Sequence, residues 1–201
     1  MKKVLITGFE PFGGEAINPS LEAVKLLPDD IEGVRLVKLP LPVVFGKSAD
    51  ILLATLGLGE FDAVICVGQA GGRTSINLER VAVNVDDTKA PDNEGNQPID
   101  KVICEGAPDG YFATLPVKSI VEELKRAEIP AVVSDTAGTY VCNHVMFTAL
   151  HYAAKHRPEM KAGFVHIPYL PAQVLDKGNA PSMSLENIVK ALTIIIKTAT
   201  S

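Results

Sequence analysis

Short β-branched runs alternate along this chain with longer segments of helical periodicity, and no other feature narrows the possible folds as far. Residues 3–7 (KVLIT), 34–39 (VRLVKL), 62–67 (DAVICV), 130–134 (PAVVS) and 163–167 (GFVHI) read as buried strands, each ending in a turn. A helix is expected from Asn18-Pro19-Ser20, where Asn can cap and Pro fits the first turn, and others over about 44–57, 116–127, 141–156 and 184–197. Parallel strands need long crossovers, and helices supply them, so the alternation implies the α/β class with a mostly parallel central sheet and helices on both faces.

One stretch breaks the rhythm. INLERVAVNV, from residue 76, alternates as a strand does, and the DDTKAPDNEGNQPID that follows is a polar, turn-rich excursion that reads as a hairpin or a long loop. Long loops in compact domains are often functional, so this one is a candidate for closing a site or a subunit contact. The 201 residues, 47% of them hydrophobic, suit one core and one domain spanning 1–201. A net charge of −5 without a Lys/Arg cluster argues against nucleic acid as a partner. No run nears the roughly 20 apolar residues of a membrane span, and the first residues lack the apolar core of a secretion signal, so a cytoplasmic protein with no membrane partner is expected.

The odd count of cysteines, Cys66, Cys104 and Cys142, points to free thiols. No cysteine or histidine spacing suits zinc, and the glycines form neither a dinucleotide fingerprint nor a P-loop, so neither a metal nor a nucleotide cofactor is indicated. His144 and His151, seven apart, are explained by two surface histidines at least as well as by any shared ligand.

Ligand sites in open α/β sheets collect outside the carboxyl ends of the strands. Two reactive side chains are expected there. Cys142 follows the strand 130–134 and the turn DTAG, which puts it in the first turn of helix 141–156; His166 ends strand 163–167, just before IPYLP. Neighbouring elements would bring thiol and imidazole within hydrogen-bond reach. A helix N-terminus and an imidazolium together lower a thiol from ~8.5 to between ~3.5 and ~7.5, and the same free N–H groups form an oxyanion hole.

A second reading stays open on the residues alone. Free cysteines are among the most buried residues, and helix 141–156 is apolar on more than one face, so Cys142 is equally an inert core thiol. Cys66, in mid-strand, reads as core. Cys104, in ICEGAPDG, has no basic neighbour in sequence, and His144 faces away from Cys142 and reads as structural. Glu79 is the best candidate to orient His166, since its strand-period neighbours Val81 and Val83 are apolar and suggest an inward carboxylate; a surface Glu79 paired with Arg80 or Arg73 is the plainer alternative. Phe9 and Phe12, in GFEPFGG, form either an aromatic wall at the mouth of a site or a plug onto the core.

The chain as a whole resembles the pyroglutamyl peptidase type I family, also called pyrrolidone-carboxylate peptidases, a family of cytoplasmic cysteine peptidases. The blocks TGFEPFGGEAINPS, VGQAGGRTSINLERVAVN, PDNEGNQP, AGTYVCNHVMF, GFVHIPYLP and PSMSLENIVKAL match in order along nearly its whole length. The resemblance implies a three-layer α/β/α sandwich, a homotetramer without metal or cofactor, and hydrolysis of peptides after an N-terminal pyroglutamyl residue through a thioester. It makes Cys142 the nucleophile, His166 the general base and acid, and Glu79 the orienting carboxylate. It puts Phe9, Phe12, Asn18, Gln69, Tyr140 and Val141 around the substrate, with backbone at Gln69 meeting the lactam and the two phenylalanines flanking its ring. The chain departs from the family at Lys89-Ala90, where an arginine and a bulky aliphatic are common, which puts the tightness of the pocket in question.

Overall fold

The computed structural model describes residues 1–201. In chain order the strands are β1 (Lys2–Phe9), β2 (Asp30–Ile31), β3 (Val34–Leu41), β4 (Ala63–Gln69), β5 (Ile76–Glu79), β6 (Val81–Val83), β7 (Gly110–Phe112), β8 (Ala131–Ser134) and β9 (Lys161–Ile167). The helices are α1 (Pro19–Leu26), α2 (Lys47–Gly57), α3 (Val117–Arg126), α4 (Val141–His156) and α5 (Leu185–Thr200). Seven strands form one sheet in the order β2-β3-β1-β4-β9-β5-β8, and β6 pairs with β7 apart from it. The pairs β1–β3, β1–β4, β4–β9 and β5–β8 are parallel, while β2–β3 and β5–β9 are antiparallel.

Alternate residues of each central strand feed opposite cores, as the pleat requires. Val4, Ile6, Ile65, Val67, Val165 and Ile167 join Ile120 of α3 and Ile188 of α5 on one face. Leu5, Val64, Cys66, Ala162 and Phe164 join Leu52 of α2 and Val145 and Leu150 of α4 on the other. Each such aliphatic side chain, fully buried, is worth about 1.5–3 kcal/mol in transfer free energy. The fold is therefore a three-layer α/β/α sandwich. No helix is long and apolar enough to cross a membrane.

The stretch INLERVAVNV is not one strand. It breaks at Arg80: β5 inserts between β9 and β8 in the main sheet, and the chain then leaves to pair as β6 with β7. Asn143 on α4 holds the departing strand, accepting from Val83 N at 2.9 Å and donating to Val83 O at 2.9 Å and Val85 O at 3.2 Å. The polar excursion beyond it is hairpin-like, closed by reciprocal backbone bonds between Asp86 and Lys101 and by Thr88 N to Pro98 O at 3.0 Å.

Candidate active site

Strand register brings His166 and Glu79 together. Across the antiparallel pair, Glu79 stands opposite Phe164 and Asn77 opposite His166, so Glu79 is the diagonal neighbour of His166 on the same face of the sheet. Its Oε1 accepts from His166 Nδ1 at 2.7 Å, and both side chains are buried, at 0% and 5% exposed. Because a carboxylate only accepts, Nδ1 carries the proton and Nε2 of the neutral ring is left as an acceptor. Arg73 Nη1 donates to the same Oε1 at 2.8 Å, while Oε2 has no partner and no solvent.

On the other side of His166, the parallel pair sets Gly68 opposite it. A Cβ built on Gly68 would lie 2.7 Å from the Phe164 ring and 3.1 Å from Cys142 Sγ, so the missing side chain is what lets the thiol approach this strand. Cys142 is the second residue of α4, behind the turn at Gly138, whose φ of +79° suits glycine. No side chain caps α4, so its first N–H groups stay unpaired within the helix. For Gly68→Ala we expect kcat to fall at least about tenfold and stability to drop by about 1–3 kcal/mol, because a fully buried ring must move. Steady-state kinetics with a thermal melt check this; wild-type values in both would mean that the close approach has no consequence.

Cys142 and His166 both open on a cavity of about 320 Å³, which Phe9, Phe12, Asn18, Gln69, Tyr140 and Val141 also line. A larger concavity of about 750 Å³ contains neither Cys142 nor His166 and holds His144, His151 and Cys104 instead. The smaller cavity is where a thiol, an imidazole and unpaired N–H groups meet, the set of groups that acyl transfer calls for. No three His, Cys, Asp or Glu side chains are grouped so as to hold a metal ion.

A family model described as pyroglutamyl peptidase matches residues 2–201. The chain belongs to the pyroglutamyl peptidase family. It is 58% identical over 197 residues to a pyrrolidone-carboxylate peptidase of Thermococcus onnurineus, covering 98% of each chain. It is 57% identical over 195 residues to one of Thermosipho africanus, covering 97% of this chain and 95% of the relative. The crystal structure of pyroglutamyl peptidase I from Bacillus amyloliquefaciens superposes with a TM-score of 0.95 at 50% identity, over 98% of this chain and 94% of that one.

Within this pyroglutamyl peptidase fold, several expectations change. Burial pushes the Cys142 thiol up to about 12, the charges of Glu79 and Cys66 add to the effect, and Arg73 and the cysteine's own N–H oppose it, while the side chain itself is only partly buried where it meets the cavity. A helix N-terminus acts only over its first turn and is outweighed where the surroundings are dry. No direct hydrogen bond links the sulfur to His166. His166 itself is held below the ordinary histidine value of about 6.5, first by burial, against the pull of the Glu79 bond and charge, with Arg73 pushing the same way as burial.

Arg73 is a site residue that sequence reasoning passed over, named only as a surface partner for Glu79. It lines the cavity with its side chain 29% exposed. The signal was a lone basic residue in the glycine turn QAGGR that follows a central strand. Removing its charge as Arg73→Gln takes away one of the causes that keep His166 low, so the acid limb of kcat/KM should move to higher pH. A pH–rate profile that stayed in place, or moved down, would contradict this electrostatic account.

The inward reading of Glu79 was right in outcome and wrong in reason, since Val81 and Val83 lie in the separate β6 and are only partly buried. All four residues of β5 are buried because both faces are covered, so alternation had no bearing on it. Phe9 is 2% exposed and packs on Phe164 at 6.3 Å as a core plug, while Phe12 stands against Tyr140 at 6.4 Å as wall. Asn18 caps α1, accepting from Ser20 N at 3.1 Å, and donates to Glu10 O at 3.0 Å, so its amide is committed to the loop even where it lines the cavity. Lys89 and Ala90 are exposed and outside the lining; their loop reaches the site through Tyr140 Oη, which donates to Pro91 O at 3.1 Å.

His144 is buried and His151 half-buried, so the two are not a pair of plain surface histidines. His144 Nδ1 bonds Asp86 Oδ2 at 2.8 Å and its Nε2 accepts from Gly46 N at 3.3 Å, which commits the ring to structure. His151 contacts Tyr111 Oη at 2.8 Å and Cys104 Sγ at 3.6 Å. Cys104 thus has a basic neighbour in space that its sequence context did not offer. Cys66 is fully buried in mid-strand, its thiol pushed up to about 12 by burial.

Proposed function

We propose that this chain is a cysteine peptidase that hydrolyses the bond after an N-terminal pyroglutamyl residue and releases free pyroglutamate. The observation that carries the reading is one cavity shared by Cys142 and His166, with the Glu79 carboxylate fixing the His166 tautomer from behind. His166 Nε2 takes the Cys142 proton as sulfur attacks the carbonyl, so charge separates only once substrate is present. The α4 N–H groups receive the tetrahedral oxyanion, where one donor is typically worth about 2.7–4 kcal/mol. The imidazolium then protonates the leaving amine, leaving a pyroglutamyl thioester, and His166 activates water to cleave it.

The cavity suits a small neutral ring. Its walls are largely apolar, with Phe9, Phe12, Val43 and Val141, and no carboxylate lines it to bind a free α-ammonium. A lactam N–H and C=O would be met by backbone near Gln69 and by a few side-chain donors. We place the protein in the cytoplasm as a single domain of residues 1–201, assembling as a homotetramer, with peptides blocked by pyroglutamate as its partners and neither cofactor nor nucleic acid required.

Release of arylamine from a pyroglutamyl arylamide tests the reading, with prolyl and glutaminyl arylamides as controls. Hydrolysis of the first at a kcat/KM at least about 10³ above the others is expected, because a site built to pair a lactam leaves its polar groups unmet by analogues that lack one. Equal turnover of prolyl arylamide, or none of the pyroglutamyl compound, would refute it. Thiol alkylation needs peptide mapping beside it, since Cys104 is also partly exposed.

A further inference from the structure

Beyond His166 the chain runs through Tyr169 and a single 3-10 turn, Pro171–Gln173, before reaching α5. The Gln173 side chain from this turn is 8% exposed and makes bonds to three segments at once. Its Oε1 accepts from Leu170 N at 3.0 Å, while Nε2 lies 2.9 Å from Gln69 Oε1, 3.2 Å from Glu15 Oε2 and 3.4 Å from Ile17 O. An amide nitrogen has two hydrogens, so the two nearer acceptors take the main share. Each segment carries a wall of the cavity: the loop after β1 bears Phe12 and Asn18, the end of β4 bears Gln69, and the turn itself follows His166 on β9.

The orientation of both amides follows from this arrangement. Leu170 N only donates and Ile17 O only accepts, which fixes which end of Gln173 is oxygen. Its Nε2 then requires oxygen from Gln69, so Gln69 turns its own Nε2 elsewhere. That nitrogen has no partner in the protein, yet it is not among the walled-off unpaired atoms, which are Thr7 Oγ1, Glu79 Oε2 and Asp86 Oδ1. Gln69 lines the cavity, and the open donor is therefore offered to a ligand.

We propose that Gln173 is a positioning residue for specificity: it locks the Gln69 amide with its donor end toward the cavity, as the partner of a carbonyl oxygen on the ligand's ring. This rests on the pyroglutamyl reading above. Gln173 does not touch the substrate. It acts through Gln69, and secondarily by lacing the loop after β1 to the segment after β9, which the more exposed Lys177–Glu15 pair at 2.7 Å also joins.

Two variants that both give up the bonds to Glu15 and Ile17 differ in what they do to the Gln69 amide. Gln173→Glu keeps the shape and the acceptor for Leu170 N but has no donor for Gln69, which then turns its NH2 to the new carboxylate and its oxygen to the cavity; the new carboxylate also faces Glu15, a repulsion that the thermal melt reads separately. Gln173→Met removes all of these side-chain bonds and leaves the Gln69 amide free to turn. Kinetics on pyroglutamyl arylamide, the inhibition constant of 2-pyrrolidone and a thermal melt are measured for each, with the same set for Gln69→Met and for Gln69→Met combined with Gln173→Glu. For Gln173→Glu, KM and the 2-pyrrolidone constant should rise about tenfold or more with kcat within about threefold, the size expected for one lost and mismatched hydrogen bond. In the Gln69→Met background the same change should add less than about twofold, because the two residues act as one unit. Unchanged KM in a folded Gln173→Glu, additive effects in the double variant, or losses of kcat that merely track the melt would each overturn the proposal. If Gln173→Met does not fold, the Gln173→Glu series still decides. A wild type that neither hydrolyses the arylamide nor binds 2-pyrrolidone defeats the pyroglutamyl reading and this inference with it, whereas an active wild type with indifferent variants defeats the inference alone.

Discussion

Cys142→Ala is expected to lower kcat on a pyroglutamyl arylamide by at least about 10⁴-fold, the scale on which losing the nucleophile of a cooperating set is felt. The variant should still fold and bind 2-pyrrolidone with near wild-type affinity, since only one sulfur atom is lost from the lining and the other wall residues are kept. Cys142→Ser should fare little better. Its hydroxyl is a poorer acid than a thiol, and a His166 held below the ordinary histidine value is a weak base to take that proton. Cys66→Ala is the control: that thiol is sealed in mid-strand, so stability should fall while turnover per folded molecule is kept. Wild-type turnover by Cys142→Ala would mean that sulfur is not the attacking atom.

The expected state of that sulfur is where reading the chain and seeing the fold part most clearly. From the sequence, the helix N-terminus and a nearby imidazole suggested a thiolate at rest. In three dimensions the thiol and the Phe164 ring both crowd the position of Gly68, and the thiol is close enough to Glu79 for its charge to disfavour a second anion. Burial and a like charge act in the same direction, and the imidazole cannot answer them while it is neutral. On the proposed reading, the proton leaves the sulfur for His166 as the sulfur attacks. Sequence spacing carries no information about the dielectric around an atom, which is set by whatever packs there from distant parts of the chain.

The same distinction explains what was legible. The alternation of β-branched and amphipathic segments gave the sheet, the helices and the placement of Cys142 in the first turn of a helix, because these depend on local periodicity. The resemblance named Phe9, Phe12, Asn18, Gln69, Tyr140 and Val141, and the register and the loops gather them along one cavity. What escaped were consequences of pairing between distant segments. Strand β5 runs antiparallel to β9, an exception in a mostly parallel sheet, and only that pairing sets Glu79 diagonally across from His166. Gln173 is an unremarkable amide in LPAQV until the turn folds back over β4. Cys104 and His151 are 47 residues apart, and nothing local marks them as neighbours.

Glu79→Gln should lower kcat by about 10²–10⁴-fold, and the orientation its amide takes decides where in that range the result falls. Both donors, His166 Nδ1 and Arg73 Nη1, now converge on one oxygen. If glutamine presents its oxygen to them, the His166 tautomer survives and the loss is only that of a negative charge beside a forming imidazolium. If it presents its NH2, Nδ1 must accept, Nε2 becomes a donor and the base is disabled. Arg73 opposes the second arrangement because its own N–H would then face another donor, so the smaller loss is expected, and combining Glu79→Gln with Arg73→Gln should remove that bias and deepen it. The pH profile gives an independent sign. Glu79 raises His166 and helps to raise Cys142, so without its charge His166 falls further and the acid limb of kcat/KM moves to lower pH, opposite to the shift expected for Arg73→Gln. An acid limb that rose in Glu79→Gln would reverse the assigned electrostatics, and a plateau equal to wild type would take Glu79 out of the catalytic apparatus.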